Sequence, residues 1–322
     1  MTTNARTDGS SGTLTTRAIG FSEFGGAEVL RPMEVELPAP GPGQVRITVR
    51  TAGVNPLDHK LRAGAMTELI PVTFPVVTGY EAAGVVEAVG EGVTAWRVGD
   101  EVFGPTWGGA HAEHVLVEAE KLARKPAGLG WAEAAAIPVA AETSWRVLDL
   151  LGVESGQTLL VHGAAGGVGT VLLQFARSRG IRVVGTASEA NHEHLRALGA
   201  VPVTYGEGLA DRVRAVAPEG WTGCWTAQAR GTSCPSRSSW PAGRRTCSPS
   251  PTSREPPATG CGSAGDGSQG LQPRSPGGRA RAARGGELQL PVHRVFPLAE
   301  TAEAHRVSEH GHLRGKIVLA IG

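Results

Sequence analysis

The segment VHGAAGGVG at 161–169 has the glycine spacing of a turn that binds phosphate groups. It follows the apolar run TLLVH, which predicts a strand, and it opens GGVGTVLLQFARSRG, which predicts a helix that ends at Gly180. Glycines let such a turn approach a pyrophosphate, and the helix N-terminus offers free N–H groups and a partial positive charge. A glycine-rich packing turn is the alternative. We predict that a dinucleotide is bound by Gly163, Ala165, Gly166, Gly167, Val168 and Gly169.

The second strand of this unit, IRVVGT at 181–186, bears on which dinucleotide is bound. An NAD site carries Asp or Glu near the end of this strand to bind the ribose 2′-hydroxyl, whereas Ala187 stands there in this chain. The missing carboxylate removes repulsion against a 2′-phosphate. We therefore expect NADPH, with Ser188, His192 and Tyr205 as candidate donors to that phosphate. The carboxylate of Glu189 can reach the same space, and this favours NADH instead.

Strands and helices alternate around this turn, which predicts an α/β fold with a doubly wound parallel sheet. VPVTY supplies a third strand, and NHEHLRALGA supplies the helix before it. Upstream, residues 16–120 read as short strands separated by Gly and Pro turns, which favours a small β-barrel-type domain. WAEAAAIPVAAETSWRVLDLLG predicts a helix in two pieces, broken around Pro138. A helix over 299–309 and the strand KIVLAI complete the pattern.

Length and composition are those of a globular protein with two domains. The chain has 322 residues, of which 40% are hydrophobic, and a net charge of +1, which gives no general preference for nucleic acid or acidic lipid. The polar start MTTNARTDGSSGTLTTR predicts a disordered tail over 1–16 and lacks the apolar core of a secretory signal. No apolar run approaches the roughly 20 residues that span a bilayer, so we expect a cytoplasmic protein without a membrane partner.

Several motifs occur in a fixed order: AAGVNPLDHKLRAG, PVVTGYEAAGVVEAVGEGV, RVGDEVFG, EAAAIPVAAETSWRVL, VHGAAGGVGTVLLQFARSRG and AHRVSEHGHLRGKIVL. In this order they resemble the zinc-independent quinone oxidoreductase branch of the medium-chain dehydrogenase/reductases. The resemblance covers about 17–219 and 287–322. It implies a GroES-like catalytic domain over 17–130 and a Rossmann NADPH-binding domain over 131–286. The segment 287–322 would then return to the catalytic domain.

The resemblance also implies which residues lie near the nicotinamide and the acceptor. Asn55 and Asp58 are expected at the cleft between the domains as catalytic residues. Tyr80 is expected to bind an acceptor oxygen or relay a proton, with a packed strand aromatic as the alternative. Thr143 matches a position beside the nicotinamide amide, with a helix cap as the alternative. Trp107 is expected either to form an apolar wall of the acceptor site or to pack as an ordinary aromatic.

Two positions argue against a catalytic zinc ion. Zinc-dependent relatives place a Cys before the Asp of the GVNPLD segment and a His between the Gly and Glu of GYE, where this chain has Asn55 and Tyr80. Neutral Asn is a poor zinc ligand and Tyr is an uncommon one. The four-cysteine zinc lobe is also missing. We therefore expect no metal, and we interpret as surface or packing residues His111, His114, His192 and His194.

Without zinc to polarise a carbonyl, the resemblance implies hydride transfer from NADPH to an acceptor that is already electrophilic. A quinone or a conjugated enone fits this description. The first alternative is an enoyl-thioester reductase of the same superfamily. A catalytically inactive protein that binds NADPH or nucleic acid is a further alternative, because of the unusual segment at 221–285. The intact family form is expected to be a homodimer.

Residues 221–286 differ in composition from the rest of the chain. They contain all four cysteines, no Val, Ile or Phe, and one Leu, Leu271. A buried parallel strand normally needs a near-continuous apolar run, so we expect no such strand here. The Pro, Ser, Gly and Arg content is typical of disorder. Its arginines permit contact with nucleic acid, but the segment has neither regularly spaced aromatics nor a recognisable binding module, so we do not expect that partner.

A shift of reading frame accounts for this composition. The codons from Gly220 to Thr226, read one base early, force Asp, Leu and Asp and permit the strand pattern V-D-x-V-L-D with which the resembled family continues. A GC-rich gene read out of frame yields Arg, Pro, Ser, Gly, Cys and Trp. We therefore predict compensating frame changes that bound 221 to about 285. The later sheet strands and the edge strand for dimerisation would be lost, and the exposed sheet edge would favour aggregation.

Overall fold

The computed structural model describes residues 12–226 and 288–322, together with the backbone of 246–249. The chain divides into two compact units. The first comprises Met1–Pro138, Arg294–Gly311 and Ile317–Gly322, and the second comprises Val139–His293 and His312–Lys316. The division falls inside a helix, whereas the sequence interpretation placed it before that helix, after residue 130.

The secondary structure of the described residues alternates as an α/β chain requires. The strands β1 to β15 are, in chain order, Leu14–Phe21, Arg31–Leu37, Gln44–Val54, Val76–Val77, Glu81–Val89, Glu101–Pro105, His114–Glu118, Ala123–Arg124, Thr158–His162, Arg182–Ala187, Val201–Thr204, Gly223–Thr226, Thr246–Pro249, Val292–Pro297 and Lys316–Ala320. The helices α1 to α6 are Pro56–Arg62, Trp131–Leu151, Gly167–Ser178, His192–Ala197, Leu209–Val216 and Thr301–His310.

The first unit is built on antiparallel sheets, as its turn-rich sequence predicted. A small sheet has the order β2-β1-β4, and a larger one has the order β14-β15-β3-β5-β6-β8, with β7 paired to β3. The long strand β3 is central because Val45, Ile47 and Val49 alternate along it and are all buried. β1 begins at Leu14, so the expected tail over 1–16 is too long at its C-terminal end.

The second unit contains a parallel sheet with the order β11-β10-β9-β12-β13. This is the arrangement of a Rossmann-like doubly wound sheet, in which the strand order reverses next to the first strand, here β9. β9 is buried after its first residue, and Leu159, Leu160 and Val161 are fully inaccessible to solvent. An apolar run of this kind is typical of a strand covered on both faces. The predicted α/β fold class is thus confirmed.

The helix around Pro138 corrects the prediction of two pieces, since α2 runs without a break from Trp131 to Leu151. Proline removes one backbone donor and crowds the preceding turn, which usually breaks or kinks a helix. Here the preceding turn consists of small, fully buried alanines, Ala134, Ala135 and Ala136. The packing of this buried turn in the core outweighs the local tendency of proline to break the helix.

The strand β12 corrects a second prediction, because 221–286 was expected to supply no buried parallel strand. Gly223–Thr226 pairs in parallel with β9, and Cys224 and Trp225 on it are buried. Aromatic residues and Thr favour strands, so these four residues adopt one without an aliphatic run. The strand β13 pairs with β12 on its other side. The remainder of the segment lies outside the described residues.

Several other predicted elements agree with the structure to within one or two residues, whereas the helix predicted in NHEHLRALGA is shorter and spans His192–Ala197. The strands at 158–162 and 181–186 and the helix closed by Gly180 correspond to β9, β10 and α3. The predicted helix over 299–309 is α6, and KIVLAI contains β15. Among the described residues, no helix combines the length and apolar character needed to cross a membrane.

Candidate functional site

The predicted phosphate-binding turn connects β9 to α3 in the second unit. α3 begins at Gly167, with Gly166 as an extended N-cap residue whose missing side chain leaves the helix end uncapped. A Cβ atom on Gly169 would stand 2.6 Å from the carbonyl oxygens of both Gly163 and Ala164. Only glycine lets the turn fold this closely onto the first turn of the helix. The turn therefore has a fixed shape before any ligand binds.

Thr186 at the end of β10 holds the first half of this turn. The N–H of Gly163 donates to Thr186 Oγ1 at 3.3 Å, and the N–H of Ala164 donates to the Thr186 carbonyl at 3.0 Å. The Thr186 hydroxyl also lies 3.2 Å from Nδ1 of His162. All three groups are buried or part-buried. Neighbouring strands β9 and β10 are thus joined through side chains at their carboxyl ends, where doubly wound sheets bind ligands.

The second half of the turn is held from the C-terminal part of the chain. The N–H of Gly315 donates to the carbonyl of Ala165 at 3.0 Å, and Gly315 forms an isolated parallel bridge with Gly166. Within the described part of the chain, the N–H groups of Gly167 and Val168 find no acceptor. These are the free donors that a helix N-terminus presents to an anion.

The geometry fits a dinucleotide pyrophosphate. A Cβ atom on Gly166 would meet only the Gly163 carbonyl, at 3.4 Å, so the space in front of the turn is open to a ligand. The free N–H groups of Gly167 and Val168 and the helix dipole supply partial positive charge. These residues would hold the pyrophosphate of a bound dinucleotide.

The candidate donors to a 2′-phosphate cluster at the carboxyl edge of β10 and β11. Ala187 on β10 is paired with Thr204 on β11, and Ser188 and Tyr205 are the residues that directly follow them. Ser188 Oγ accepts a hydrogen bond from the Asn191 side chain at 3.0 Å. His192 begins α4, and its Nε2 atom is buried without a hydrogen-bond partner in the described structure.

In the first unit, Asn55 and Asp58 form the capping box of α1. The N–H of Asn55 donates to Asp58 Oδ2 at 2.6 Å, and the N–H of Gly79 donates to the other carboxylate oxygen at 2.9 Å. Asp58 is fully buried. The Asn55 side chain donates to Glu81 Oε1 at 2.9 Å. The two predicted catalytic residues therefore lie together, but their polar atoms are largely engaged within the protein.

Tyr80 is the most exposed of the three predicted catalytic residues, and it is half-buried. Its backbone is fixed because the N–H of Thr106 donates to its carbonyl at 2.8 Å. Burial and the nearby charge of Asp58 raise the pKa of the Tyr80 phenol to about 12. The phenol therefore stays protonated at neutral pH and acts as a hydrogen-bond donor.

His111 is hydrogen-bonded to residues close in sequence to Tyr80 and Asn55. Its Nδ1 atom lies 3.0 Å from the Thr78 hydroxyl and its Nε2 atom 3.3 Å from the carbonyl of Gly53. The ring is fully buried. Both ring nitrogens are thus hydrogen-bonded within the protein, in accordance with the packing interpretation of this histidine.

Thr143 and Trp107, the remaining two sequence candidates, have different outcomes. Thr143 lies in the middle of α2 and is half-buried, so the alternative reading as a helix cap is wrong. Its neighbour Ser144 is buried, and its hydroxyl donates to the carbonyl of Val168 at 2.9 Å. Trp107 is 71% exposed on the first unit, which excludes the reading as an ordinarily packed aromatic.

Comparison with family models matches two parts of the chain. The model described as alcohol dehydrogenase GroES-like domain covers residues 41–141, and the model described as zinc-binding dehydrogenase covers residues 279–319.

Curated relatives include several reductases. The quinone oxidoreductase of Homo sapiens is 39% identical over 176 residues, 53% of this chain and 52% of its own length. The 2-methylene-furan-3-one reductase of Solanum lycopersicum is 37% identical over 196 residues, 57% of this chain and 50% of its own. The polyketide synthase component PikAII of Streptomyces venezuelae is 42% identical over 194 residues, 60% of this chain but 5% of its own. This chain therefore spans about half the length of the two reductases.

Solved structures match over nearly the whole chain. Mycobacterial Rv1454c complexed with NADPH is 31% identical with a TM-score of 0.75, over 94% of this chain and 99% of that chain. The chain belongs to the medium-chain dehydrogenase/reductase superfamily. Its similarity to quinone oxidoreductases places it in the zinc-independent, quinone oxidoreductase-like branch.

The positions that bind catalytic zinc in other medium-chain dehydrogenases are occupied by Asn55, bonded to Glu81, and by the neutral phenol of Tyr80. Across the residues that the structure describes, no group of three or more His, Cys, Asp or Glu side chains is arranged to hold a metal ion. The words zinc-binding in the name of the second family model are therefore a description of that family.

Sequence reasoning missed several residues of this member of the superfamily. Thr186 and Ser144 hold the phosphate-binding turn, and Glu81 orients Asn55. Thr186 ends the strand that the sequence predicts at 181–186, and that position was the one signal available for it. Ser144 and Glu81 had no signal of their own, because their partners are distant in the chain.

Proposed function

We propose that this protein is an NADPH-dependent reductase that delivers hydride to a quinone or a conjugated enone without zinc. The observation that carries the proposal is the open glycine turn, where the N–H groups of Gly167 and Val168 at the start of α3 have no acceptor among the described residues. Similarity supports the proposal as well, because mycobacterial Rv1454c, which is matched over 99% of its length, was solved in complex with NADPH. When bound, NADPH supplies a hydride from its nicotinamide.

Each residue of the turn has a definite task in this proposal. Gly167 and Val168 bind the pyrophosphate, and Gly163, Ala165, Gly166 and Gly169 shape the surface that receives it. Ser188, His192 and Tyr205 donate to the 2′-phosphate; the main support is that Nε2 of His192 has no hydrogen-bond partner among the described residues. Thr143 contacts the nicotinamide amide. Glu189 is exposed beside Ser188. Its negative charge repels a 2′-phosphate and therefore reduces the preference for NADPH over NADH.

The first unit would recognise the acceptor. A quinone or enone is electrophilic without a Lewis acid, so the remaining requirement is a donor to its carbonyl oxygen, where negative charge develops. Tyr80 is a neutral donor of this kind. Asn55 and Asp58 hold Tyr80 and its loop in place through their bonds to Glu81 and Gly79. We assign Asn55 and Asp58 to positioning.

Turnover of NADPH with a simple quinone tests the proposal. The purified full chain is mixed with NADPH and 1,4-benzoquinone, and the loss of nicotinamide absorbance is followed, with NADH as the matched control. We expect quinone-dependent oxidation with a preference for NADPH. Tyr80→Phe should lower kcat about 10- to 100-fold while the NADPH dissociation constant stays the same, because only the bond to the acceptor is lost. Binding of NADPH without turnover of any acceptor would contradict the reductase proposal.

An enoyl thioester is the second candidate acceptor. It is favoured by the match to a polyketide synthase component, which is 42% identical over 60% of this chain. A crotonyl thioester in the same assay separates the two candidates. A higher kcat/KM for the thioester than for the quinone would replace the first proposal with the second.

A further inference from the structure

The segment His312–Lys316, in the second unit, contacts the phosphate-binding turn. The N–H of Gly315 donates to Ala165, and Gly315 bridges Gly166. Gly315 has a φ angle of 79°, and a Cβ atom there would stand 1.8 Å from the carbonyl oxygen of Pro291. This position accepts glycine alone, so the backbone that enters Lys316 has one available path.

Lys316 is placed by this path. Its N–H donates to the Pro291 carbonyl at 2.9 Å, directly after the tight contact at Gly315. Its side chain then lies over Gly167, where the Cγ and Cδ atoms are 2.9 and 2.8 Å from the position a Cβ would take. Lys316 is only 7% exposed. Gly167 thus lacks a side chain at the place that the stem of Lys316 fills.

The charge of Lys316 adds to the charge of the helix end. Its ammonium group is two bonds beyond Cδ, and Cδ already lies against the first residue of α3. The first turn of α3 contains no acidic residue. A partial positive charge, free N–H groups and a lysine at the same helix end favour an anion with more than one negative charge. The pyrophosphate of a dinucleotide is such an anion.

We propose that Lys316 is a further residue of the dinucleotide site and that its ammonium group binds the pyrophosphate. The inference rests on the proposed function, because it assigns a role toward NADPH. It assigns the charge to the part of the ligand that NADPH and NADH share. Removing that charge should therefore weaken both dinucleotides by the same factor.

The experiment measures the dissociation constants of NADPH and NADH from the full chain by quenching of tryptophan fluorescence. Lys316→Met removes the charge and keeps the stem that packs on Gly167. We expect about tenfold weaker binding of both dinucleotides. Arg314→Gln is the matched control, because it removes the same charge two residues away from an exposed side chain and should change binding less than about twofold. Lys316→Arg keeps the charge and should retain most of the affinity.

The outcomes separate the inference from the proposed function. Wild-type protein that binds neither dinucleotide would overturn both. Wild-type binding with unchanged affinity in Lys316→Met would overturn the role of Lys316 alone. A loss confined to NADPH would place the charge at the 2′-phosphate and also contradict it, as would an equal loss in Arg314→Gln. Lys316→Gln provides the same comparison if the Met variant does not fold, with the thermal midpoint as the check on folding.

Discussion

Individual buried side chains in the first unit are paired before any ligand arrives. Asp58 accepts two backbone N–H groups, and the Asn55 side chain is bonded to Glu81. A buried polar group without a partner costs about 1–3 kcal/mol, so these bonds fix the loop that carries Tyr80. Burial and the charge of Asp58 raise the pKa of the Tyr80 phenol to about 12, so Tyr80 keeps its proton well above neutral pH.

His305 is a buried base whose environment opposes protonation. Arg62 donates to its Nδ1 atom at 3.1 Å, and its Nε2 atom is buried without a partner in the described structure. Burial lowers the pKa of His305 well below its ordinary value, and His111, Arg62 and His59 lower it further. Arg62 also pairs with Glu309, so the same guanidinium joins α1 to α6.

We predict that His305 makes the protein sensitive to acid. The unfolded chain binds its proton near pH 6.5 and the folded chain only at lower pH, so stability is full above about pH 6.5 and falls below it. The loss is up to about 1.4 kcal/mol for each pH unit until the folded pKa is reached. His305→Gln can still accept the bond from Arg62 and should flatten the decline of the thermal midpoint between about pH 7 and pH 5.

His310→Gln is the control for this prediction, because His310 lies exposed on the same helix. It should leave the pH dependence unchanged. An equally steep decline in His305→Gln and in the wild type would show that His305 does not control acid stability.

The elements around the phosphate-binding turn share the work of holding it. β10 contributes Thr186, α2 contributes Ser144, and the segment before β15 contributes Gly315. These three elements approach the turn from separate parts of the chain. The turn is therefore fixed by tertiary contacts as well as by its own glycines.

We predict that Gly315→Ala will disrupt this arrangement far more than Gly206→Ala. Both glycines have positive φ angles, so each variant carries a backbone cost of about 1 kcal/mol. A Cβ on Gly206 meets nothing within 4 Å, whereas one on Gly315 meets the Pro291 carbonyl at 1.8 Å. The clash should raise the total cost at 315 to about 3 kcal/mol and weaken NADPH binding at least about tenfold. Urea unfolding and dinucleotide titration measure both effects, and equal losses in the two variants would contradict the clash.

The chain as a whole changes character at 221–285, and β12 shows one consequence of that change. Trp225 is buried on β12, and its indole N–H has no hydrogen-bond partner in the described structure. The unpaired group costs about 1–3 kcal/mol. In the alternative reading frame, the codon at this place encodes Leu, which has no polar atom to satisfy. A mismatched residue at a correctly placed strand fits a change of frame after Gly220.

We predict that the source gene carries an insertion and a compensating deletion around the codons for 221 to about 285. Sequencing the gene across codons 215 to 290 tests this directly. The corrected frame should encode the apolar strands and sheet edge expected of the family, including the edge expected to form a homodimer. A gene that confirms the printed frame would make 221–285 genuine protein. The chain would then need proof of turnover before any reductase function is accepted.

The sequence alone determined the α/β class, the position of the phosphate-binding turn and the family. These features depend on local patterns: glycine at 163, 166 and 169, apolar runs such as TLLVH, and motifs in a fixed order. Backbone preference and periodicity act over a few residues, so they can be recognised in the sequence without a structure. The same rules failed at Pro138 and at β12, where packing outweighed the local preference.

Only the tertiary structure assigned partners. It joined Asn55 to Glu81, brought Gly315 to Ala165 and laid Lys316 over Gly167. None of these pairs is marked by residue type or spacing, because a contact between distant parts of a chain depends on how the strands and helices pack. The sequence therefore located the glycine turn between β9 and α3, and the fold supplied the second segment that lies against it.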